Sequence, residues 1–177
     1  MSKVSSKIAL NRHPLKAWIV LFTAFGVMAV SCDSRTQELL AKADGLGNTT
    51  NPDSAAKAID LYAAFVSEYP DREEASRALR TQARLTQQLG DMATALGLYE
   101  GLLARYPGSD YADEAQFMVG YIYEEHVRDL DQARSAYQKV IDHYPESELA
   151  VSARHLLPNV GRAAEEWLEF QEGVTTQ

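Results

Sequence analysis

Three arginines stand out as side chains that could bind a ligand. Arg77, Arg80 and Arg84 are spaced i, i+3 and i+7, which places all three on one face of a helix. Guanidinium groups bind carboxylates through paired hydrogen bonds, so this spacing predicts a cationic stripe for an acidic peptide or chain terminus. The alternative is a solvated helix face in which Arg77 pairs with Glu73, four residues earlier. The spacing leaves both interpretations open.

The residue types that usually carry catalysis or metal binding are not arranged for either. His126, His143 and His155 follow no HExxH spacing, and the single cysteine excludes thiolate zinc clusters and internal disulfides. The sequence holds no glycine-rich phosphate loop and no nucleophile elbow. We therefore expect surface or packing histidines, no metal, no cofactor, no small-molecule substrate and no enzymatic activity.

Charge is distributed unevenly along the 177 residues, whose formal net charge is −8. Residues 1–31 hold four cations and no carboxylate, so 17 − 4 = 13 cations face 25 acids in the rest, a net of −12. A body this acidic repels phosphate backbones, which argues against nucleic acid as a partner. The proportions of 46% apolar and 24% charged residues are those of an ordinary globular protein.

The first 31 residues are predicted to be an export signal. An apolar run from Ala17 to Val30 follows the basic residues. As a helix its fourteen residues would span about 21 Å, less than the roughly 30 Å core of a bilayer, which suits a signal-peptide core. An uncleaved membrane anchor is the alternative.

The segment Ala29-Val30-Ser31-Cys32 resembles the lipobox of bacterial lipoproteins, with Ala29 where that family usually has leucine. The resemblance implies that Cys32 is acylated and holds the protein on a periplasm-facing membrane, since two or more acyl chains anchor stably. A soluble secreted protein is the alternative, because Ala29 and Ser31 also fit ordinary secretory cleavage. Asp33 implies inner-membrane retention in enteric lipoproteins, but the membrane stays open here, with the outer membrane slightly preferred.

The strongest pattern is an internal repeat of three copies. Each copy has an alanine, a tyrosine four residues later, a Tyr-Pro pair seven residues after that, and alanines five and eight positions beyond the proline. The first tyrosines of the copies are Tyr62, Tyr99 and Tyr137, which gives periods of 37 and 38 residues. The extra residue of the longer period is predicted in the turn His126–Leu130.

Each copy predicts a helix, a turn and a second helix. One helix face carries apolar residues at i, i+3, i+4 and i+7, in the first copy Tyr62, Phe65, Val66 and Tyr69. A proline disfavours helical geometry in the residue before it, so each of these helices should end at its second tyrosine. The next helices are predicted to have N-caps at Asp71, Ser109 and Ser147. Gly90 should end one helix, and Pro158 should stop or kink another near Leu157.

These columns resemble the tetratricopeptide repeat, with a period slightly longer than its usual length of about 34 residues. Ala83 and Gly120 match its small eighth residue, and the repeated alanine and first tyrosine match its twentieth and twenty-fourth positions. The resemblance covers residues 54–160. It implies an all-α fold, a right-handed α-α superhelix of about three helical hairpins that share one core.

The segments outside the array are predicted to flank it. Residues 32–53 are expected to hold the anchor, a short helix over Thr36–Ala43 and a polar loop over Gly45–Asp53. Residues 161–172 are predicted to form a capping helix, with Trp167 and Leu168 on its apolar side and glutamates covering the rest. Residues 173–177 are predicted to be a disordered tail.

In tetratricopeptide arrays the first helix of each hairpin lines a concave groove through its second, fifth, ninth and twelfth positions. The resemblance therefore implies a partner-binding groove made by Arg77, Arg80, Arg84, Gln87, Glu114, Phe117, Tyr121, Glu124, Ser152 and His155. Phe117 and Tyr121 are expected to be its apolar anchors. The expected partner is a protein or peptide, one with an acidic segment if the arginine stripe binds it.

A lipobox followed by repeats with Tyr-Pro pairs resembles the BamD-like lipoproteins that assist outer-membrane protein assembly, although those have more repeats. The resemblance implies a lipid-anchored scaffold of the cell envelope. A periplasmic repeat protein associated with peptidoglycan or division fits the same residues. An envelope enzyme or small-molecule binder is the remaining alternative, and it would need a deep pocket with convergent polar groups.

Overall fold

The computed structural model of the chain describes residues 34–48 and 50–162. Contacts divide the chain into two units between Glu38 and Leu39, and the architecture below is that of the second unit. The described residues form seven α-helices and no strand: α1 (34–47), α2 (Pro52–Glu68), α3 (Glu74–Gln88), α4 (Met92–Arg105), α5 (Ala112–Ile122), α6 (Leu130–His143) and α7 (Glu148–Leu156).

Consecutive helices pack against one another along the array. The pairs α3–α4 and α5–α6 form helical hairpins, and α7 packs on both α6 and α5. α1 contacts α2 through the hydrogen bond of Tyr62 to Asp44 and the close approach of Gly47 to Ala58, so these two helices form the first of three hairpins. Because neighbouring hairpins share their buried faces, none has to bury its apolar side alone. The predicted all-α solenoid of about three hairpins is confirmed.

The three repeat tyrosines occupy equivalent places in the core. Tyr62, Tyr99 and Tyr137 are each 1% exposed. The alanine four residues before each tyrosine and the large apolar residue three residues after it are all 0% exposed: Ala58, Ala95, Ala133, Phe65, Leu102 and Val140. Equal burial of the same columns in all three copies is what a shared core requires.

The Tyr-Pro pairs end α2, α4 and α6 as predicted. Tyr69, Tyr106 and Tyr144 have φ of −132°, −132° and −129° and ψ of 55°, 54° and 52°. Two backbone hydrogen bonds close each turn. In the first turn, the N–H of Arg72 donates to the Tyr69 carbonyl at 3.2 Å and the N–H of Ala75 donates to the Arg72 carbonyl at 3.0 Å. The other two turns repeat both bonds, so this turn is a constant part of the repeat.

The prediction of N-caps is confirmed for one helix of three. At the start of α7 the N–H of Leu149 donates to Oγ of Ser147 at 3.1 Å. The predictions for Asp71 and Ser109 are wrong, because α3 and α5 begin three residues beyond them without a side-chain cap.

The turn inside the third hairpin contains the extra residue of its repeat. After α3, Gly90 adopts the left-handed conformation with φ of 88°, as its predicted role at the helix end requires. After α5 the chain forms a π-helical turn over Tyr123–Val127, and Arg128 takes the left-handed position with φ of 62°. A π-helical turn holds more residues than an α-helical one. The insertion therefore begins before the predicted segment His126–Leu130.

The leading helix is longer than predicted, and the polar loop is shorter. The sequence predicted a helix over Thr36–Ala43 and a loop over Gly45–Asp53, whereas α1 continues through residue 47 and α2 already begins at Pro52. Packing explains the difference. A Cβ added to Gly47 would lie 3.3 Å from Cδ1 of Leu85, so the glycine lets α1 approach α3 closely despite its low helix propensity.

The array ends as Pro158 predicts. α7 stops at Leu156, and a short 3-10 turn over Leu157–Asn159 follows. Apart from residues 161 and 162, the predicted capping helix lies outside the described residues, as do the signal segment 1–31, Cys32 and the tail 173–177. Among the helices that are described, none combines the length and the apolar character needed to span a bilayer.

Candidate protein-binding face

The predicted groove residues lie along one side of α3 and of α5. This surface is called the groove face below; its members are Arg77, Arg80, Arg84, Gln87, Glu114, Phe117, Tyr121 and Glu124. All are half-buried except Tyr121, which is 37% exposed. The i, i+3, i+7 spacing brings the side chains of each helix to one face, as the sequence predicts. Ser152 and His155 lie exposed on α7.

Arg77 binds a carboxylate that the sequence did not indicate. Its Nη1 and Nη2 donate to Oδ1 and Oδ2 of Asp44 at 3.1 Å and 3.3 Å, which ties α3 to α1. Burial alone would raise the pKa of Asp44, but hydrogen bonds from Arg77 and from the Tyr62 hydroxyl outweigh it and lower that pKa. The alternative pairing with Glu73, four residues earlier, is therefore wrong: the Arg77 guanidinium binds Asp44 on α1 instead.

Arg80 is likewise occupied within the molecule. Its Nε and Nη2 donate to Oε2 of Glu114 at 2.9 Å and 2.7 Å, and this ion pair joins α3 to α5. The guanidinium also lies over the ring of Tyr111, 5.6 Å from the centroid. The Arg80–Glu114 pair thus joins the first helices of two neighbouring hairpins. Arg80 is therefore not available to a ligand as one of the three cations that the sequence predicts.

Arg84 is the arginine of the stripe that stays available. Its Nη1 donates to the neutral amide oxygen Oε1 of Gln88 at 3.2 Å. No carboxylate within the described ranges 34–48 and 50–162 lies at ion-pair distance from it. The groove face therefore presents one cation that no described acid neutralises.

Gln87 and Glu124 hold the buried tyrosines of their own hairpins. The Tyr99 hydroxyl donates to Oε1 of Gln87 at 3.1 Å, and the Tyr137 hydroxyl donates to Oε2 of Glu124 at 3.0 Å. Burial, followed by the charge of Glu114, raises the pKa of Tyr99 to about 12. These two groove residues consequently have a structural role in addition to any role in binding.

In the first hairpin the core tyrosine makes an equivalent hydrogen bond, to a residue outside the repeated positions. The Tyr62 hydroxyl donates to Oδ1 of Asp44, so the same carboxylate binds Tyr62 on α2 and Arg77 on α3. Burial, followed by this hydrogen bond, raises the pKa of Tyr62. Asp44 is the residue of this face that the sequence missed. The only signal for it was the repeat itself, because each core tyrosine needs a polar partner on the preceding helix.

The two aromatic residues expected to be anchors differ in environment. Phe117 packs on Tyr137 with ring centroids 5.3 Å apart, and it belongs to the core cluster around α6 and α7. Tyr121 is exposed and faces the His126 ring edge-on, with centroids 5.8 Å apart. Tyr121 is therefore the aromatic ring of this face that a partner can cover.

Clefts in the described part of the chain lie beside the Tyr-Pro turns, and one of them is also lined by Arg77 of the groove face. Three clefts of about 410, 460 and 380 Å³ open beside the Tyr-Pro turns, where carboxylates such as Asp110 and Glu73 line them. Among the residues that the structure describes, no group of three or more histidines, cysteines and acids is placed to hold a metal.

Comparison with known families gives a match to the hairpins that carry this face. A family model described as tetratricopeptide repeat matches residues 77–109 and 114–147, which correspond to α3–α4 and α5–α6 with the Tyr-Pro turns that follow. A search of curated proteins finds no match. The hairpins α3–α4 and α5–α6 therefore match tetratricopeptide repeats, helical hairpins that support protein–protein interaction.

Proposed function

We propose that this protein is a non-catalytic scaffold of the bacterial cell envelope that holds a partner protein on its groove face. The observation that carries the proposal is the pairing pattern of the three arginines. Two of them are bound by Asp44 and Glu114, while Arg84 keeps a guanidinium that no described carboxylate neutralises. A cation left on an acidic protein favours an acidic segment or chain terminus of the partner.

The aromatic ring beside this cation supplies contact area. Tyr121 occupies on α5 the repeat position that Arg84 occupies on α3, 37 residues earlier. The Arg80–Glu114 ion pair joins α3 to α5, so one partner segment can contact both side chains. An exposed tyrosine next to a charged group is typical of the residues that contribute most to protein interfaces.

We propose further that Cys32 is acylated and anchors the array at the periplasmic side of a membrane, with the outer membrane preferred. The support is the order of the sequence: basic residues, the apolar run Ala17–Val30, and Cys32 directly after Ala29-Val30-Ser31. Two or more acyl chains would hold the protein stably. A role in outer-membrane protein assembly, as in the BamD-like lipoproteins, follows from the same resemblance.

Crosslinking and affinity capture from the native membranes test the scaffold. Arg84→Glu should reduce capture of the partner by about tenfold, because loss of an ion pair and a new repulsion add up to roughly 1–2 kcal/mol. Lys57→Glu makes the same charge reversal at an exposed position of α2 and should leave capture unchanged. Equal capture by the Arg84 variant and the parent would refute the groove face as the binding site.

The anchor has a separate readout. Cys32→Ala should prevent incorporation of labelled fatty acid and release the protein from the membrane fraction. Partners that the variant still captures depend on the groove face and not on the lipid. Fatty-acid labelling that persists in the variant, or membrane association unchanged by it, would contradict the lipid anchor.

A further inference from the structure

An exposed aromatic and apolar surface lies where α5 passes into its π-helical turn. We call it the α5 patch, and it consists of Tyr121, His126 and Val127. Tyr121 is 37% exposed and Val127 is 51% exposed, and they are two of the four large hydrophobic residues that are exposed in the described part of the chain. The rings of Tyr121 and His126 meet edge-on at 5.8 Å. Solvent thus contacts a small apolar surface beside the groove face.

The backbone under this patch differs from the same turn in the preceding hairpin. The turn after α3 is closed by Gly90, whereas here a π-helical turn precedes Arg128, a non-glycine residue at φ of 62°. A left-handed arginine costs about 1 kcal/mol or more in conformational energy. π-Helical turns and costly backbone conformations occur preferentially at functional sites. This turn therefore has two backbone features typical of functional sites that the turn after α3 lacks.

The charge beside the α5 patch is negative. Glu125 is exposed and forms no hydrogen bond or ion pair with another described residue. The carboxylates of Glu124 and Glu125 both add, after burial, to the raised pKa of the Tyr137 hydroxyl beneath them. Arg128 is the cation of this turn, and its Nη1 donates to the Glu124 carbonyl at 3.3 Å. Two carboxylates and one guanidinium leave a net negative charge.

We propose that the partner segment carries a basic residue whose stem lies on Tyr121 and whose charged end reaches Glu125. This inference rests on the proposed function, because it names the chemistry of the segment that the groove face binds. A guanidinium or ammonium group is attracted both by the face of a tyrosine ring and by a carboxylate. Val127 then packs on the aliphatic part of the same side chain.

Together with Arg84 this gives the ligand two opposite charges. The Arg80–Glu114 ion pair joins α3 to α5, so one extended segment that crosses both helices can place an acid at Arg84 and a base at Glu125. At about 3.3–3.6 Å per residue, three residues of such a segment span roughly 10–11 Å. The partner is thus a protein segment with an acidic and a basic residue separated by two apolar ones. A uniformly acidic segment would satisfy Arg84 and leave the α5 patch uncovered.

Four dye-labelled peptides of equal length test this composition, with Glu-Leu-Leu-Arg at the centre or with Gln replacing the Glu, the Arg or both. Fluorescence anisotropy with the full chain measures their binding. We expect the Arg-bearing peptides to bind about fivefold more tightly than their Gln counterparts. Tyr121→Ala and Glu125→Gln should each remove that advantage. Glu125→Gln should also leave binding of the peptide with Glu alone unaffected.

Glu146→Gln is the matched control, because it removes the same charge from an exposed position in a Tyr-Pro turn. An equal loss of affinity from the Glu146 and Glu125 variants would overturn the proposal, since general attraction to an acidic protein would then explain binding. So would equal binding of Arg and Gln peptides. If Arg and Gln peptides bind equally while Arg84→Glu abolishes binding of the peptide with Glu alone, the scaffold proposal stands and this inference fails.

Discussion

Replacing Gly120 by alanine would test how closely α5 and α6 pack in the third hairpin. A Cβ added at Gly120 would lie 2.7 Å from both Cδ1 and Cε1 of Tyr137 and 3.2 Å from its Cγ. Distances this short cannot persist, so either the helices or the ring must move. Tyr137 is the residue that would have to move, because its side chain holds the three closest atoms.

Tyr137 has little freedom to move. It is 1% exposed, its hydroxyl donates to Glu124 at 3.0 Å, and its ring packs on Phe117 with centroids 5.3 Å apart. Overpacking a well-packed core costs about 1–3 kcal/mol. The better helix propensity of alanine over glycine returns about 0.5–1 kcal/mol. The expected net loss in the free energy of unfolding is therefore about 1–2 kcal/mol.

Urea unfolding followed by far-ultraviolet circular dichroism measures this loss. Gly97→Ala is the control, since it lies within α4 and its added Cβ meets no atom within 4 Å. That variant should gain about 0.5–1 kcal/mol from helix propensity alone. A Gly120 variant as stable as the parent, or stabilised like the Gly97 variant, would refute the close approach of the two helices.

Four further variants test one left-handed turn, one ion pair and one helix cap. Gly90→Ala should cost about 1–2 kcal/mol in urea unfolding, because φ of 88° strains any side chain although no atom lies within 4 Å of the new Cβ; no loss would mean that the turn relaxes. Asp44→Asn should cost about 0.5–1 kcal/mol near neutral pH, a modest value because the ion pair with Arg77 is partly solvated. Since the folded pKa of Asp44 is lowered from 3.8, its contribution is present above 3.8 and is lost as pH falls through the folded pKa; a difference from the parent that persists at about pH 2 would contradict this origin. Ser147→Ala should cost about 1–2 kcal/mol by thermal denaturation, because it removes the helix cap and the hydrogen bond to Asp113. Ser109→Ala at the equivalent repeat position should cost nothing, because the Ser109 hydroxyl is buried without a partner among the described residues. Equal losses in the two variants would contradict this difference.

Signals that act within one helical turn predicted the helix ends correctly. The tyrosines before Pro70, Pro107 and Pro145 end three helices, and Gly90 and Pro158 end two more as predicted. Each of these residues restricts its own backbone or that of its neighbour, so no distant contact is needed. The predicted loop after Ala43 was wrong for the opposite reason. Packing of Gly47 against Leu85 outweighed the low helix propensity of glycine.

The sequence predicted which side chains share the groove face but not which residues they bind. Helical spacing alone places Arg77, Arg80 and Arg84 on one side of α3. Their partners could not be predicted, because Asp44 and Glu114 are 33 and 34 residues away in sequence. The rule for i, i+4 pairs favoured Glu73, since the sequence shows neighbours on the same helix but not those on adjacent helices.

Local patterns along the chain suffice to specify a row of helical hairpins, because repeated alanines, tyrosines and Tyr-Pro pairs define helix faces and helix ends. Which polar groups remain for a partner depends instead on how the helices pack. Packing brings α1 and α5 beside α3, where their carboxylates bind Arg77 and Arg80 and leave Arg84 available. Charge pairing depends on which helices become neighbours in space, and that follows from the shared core.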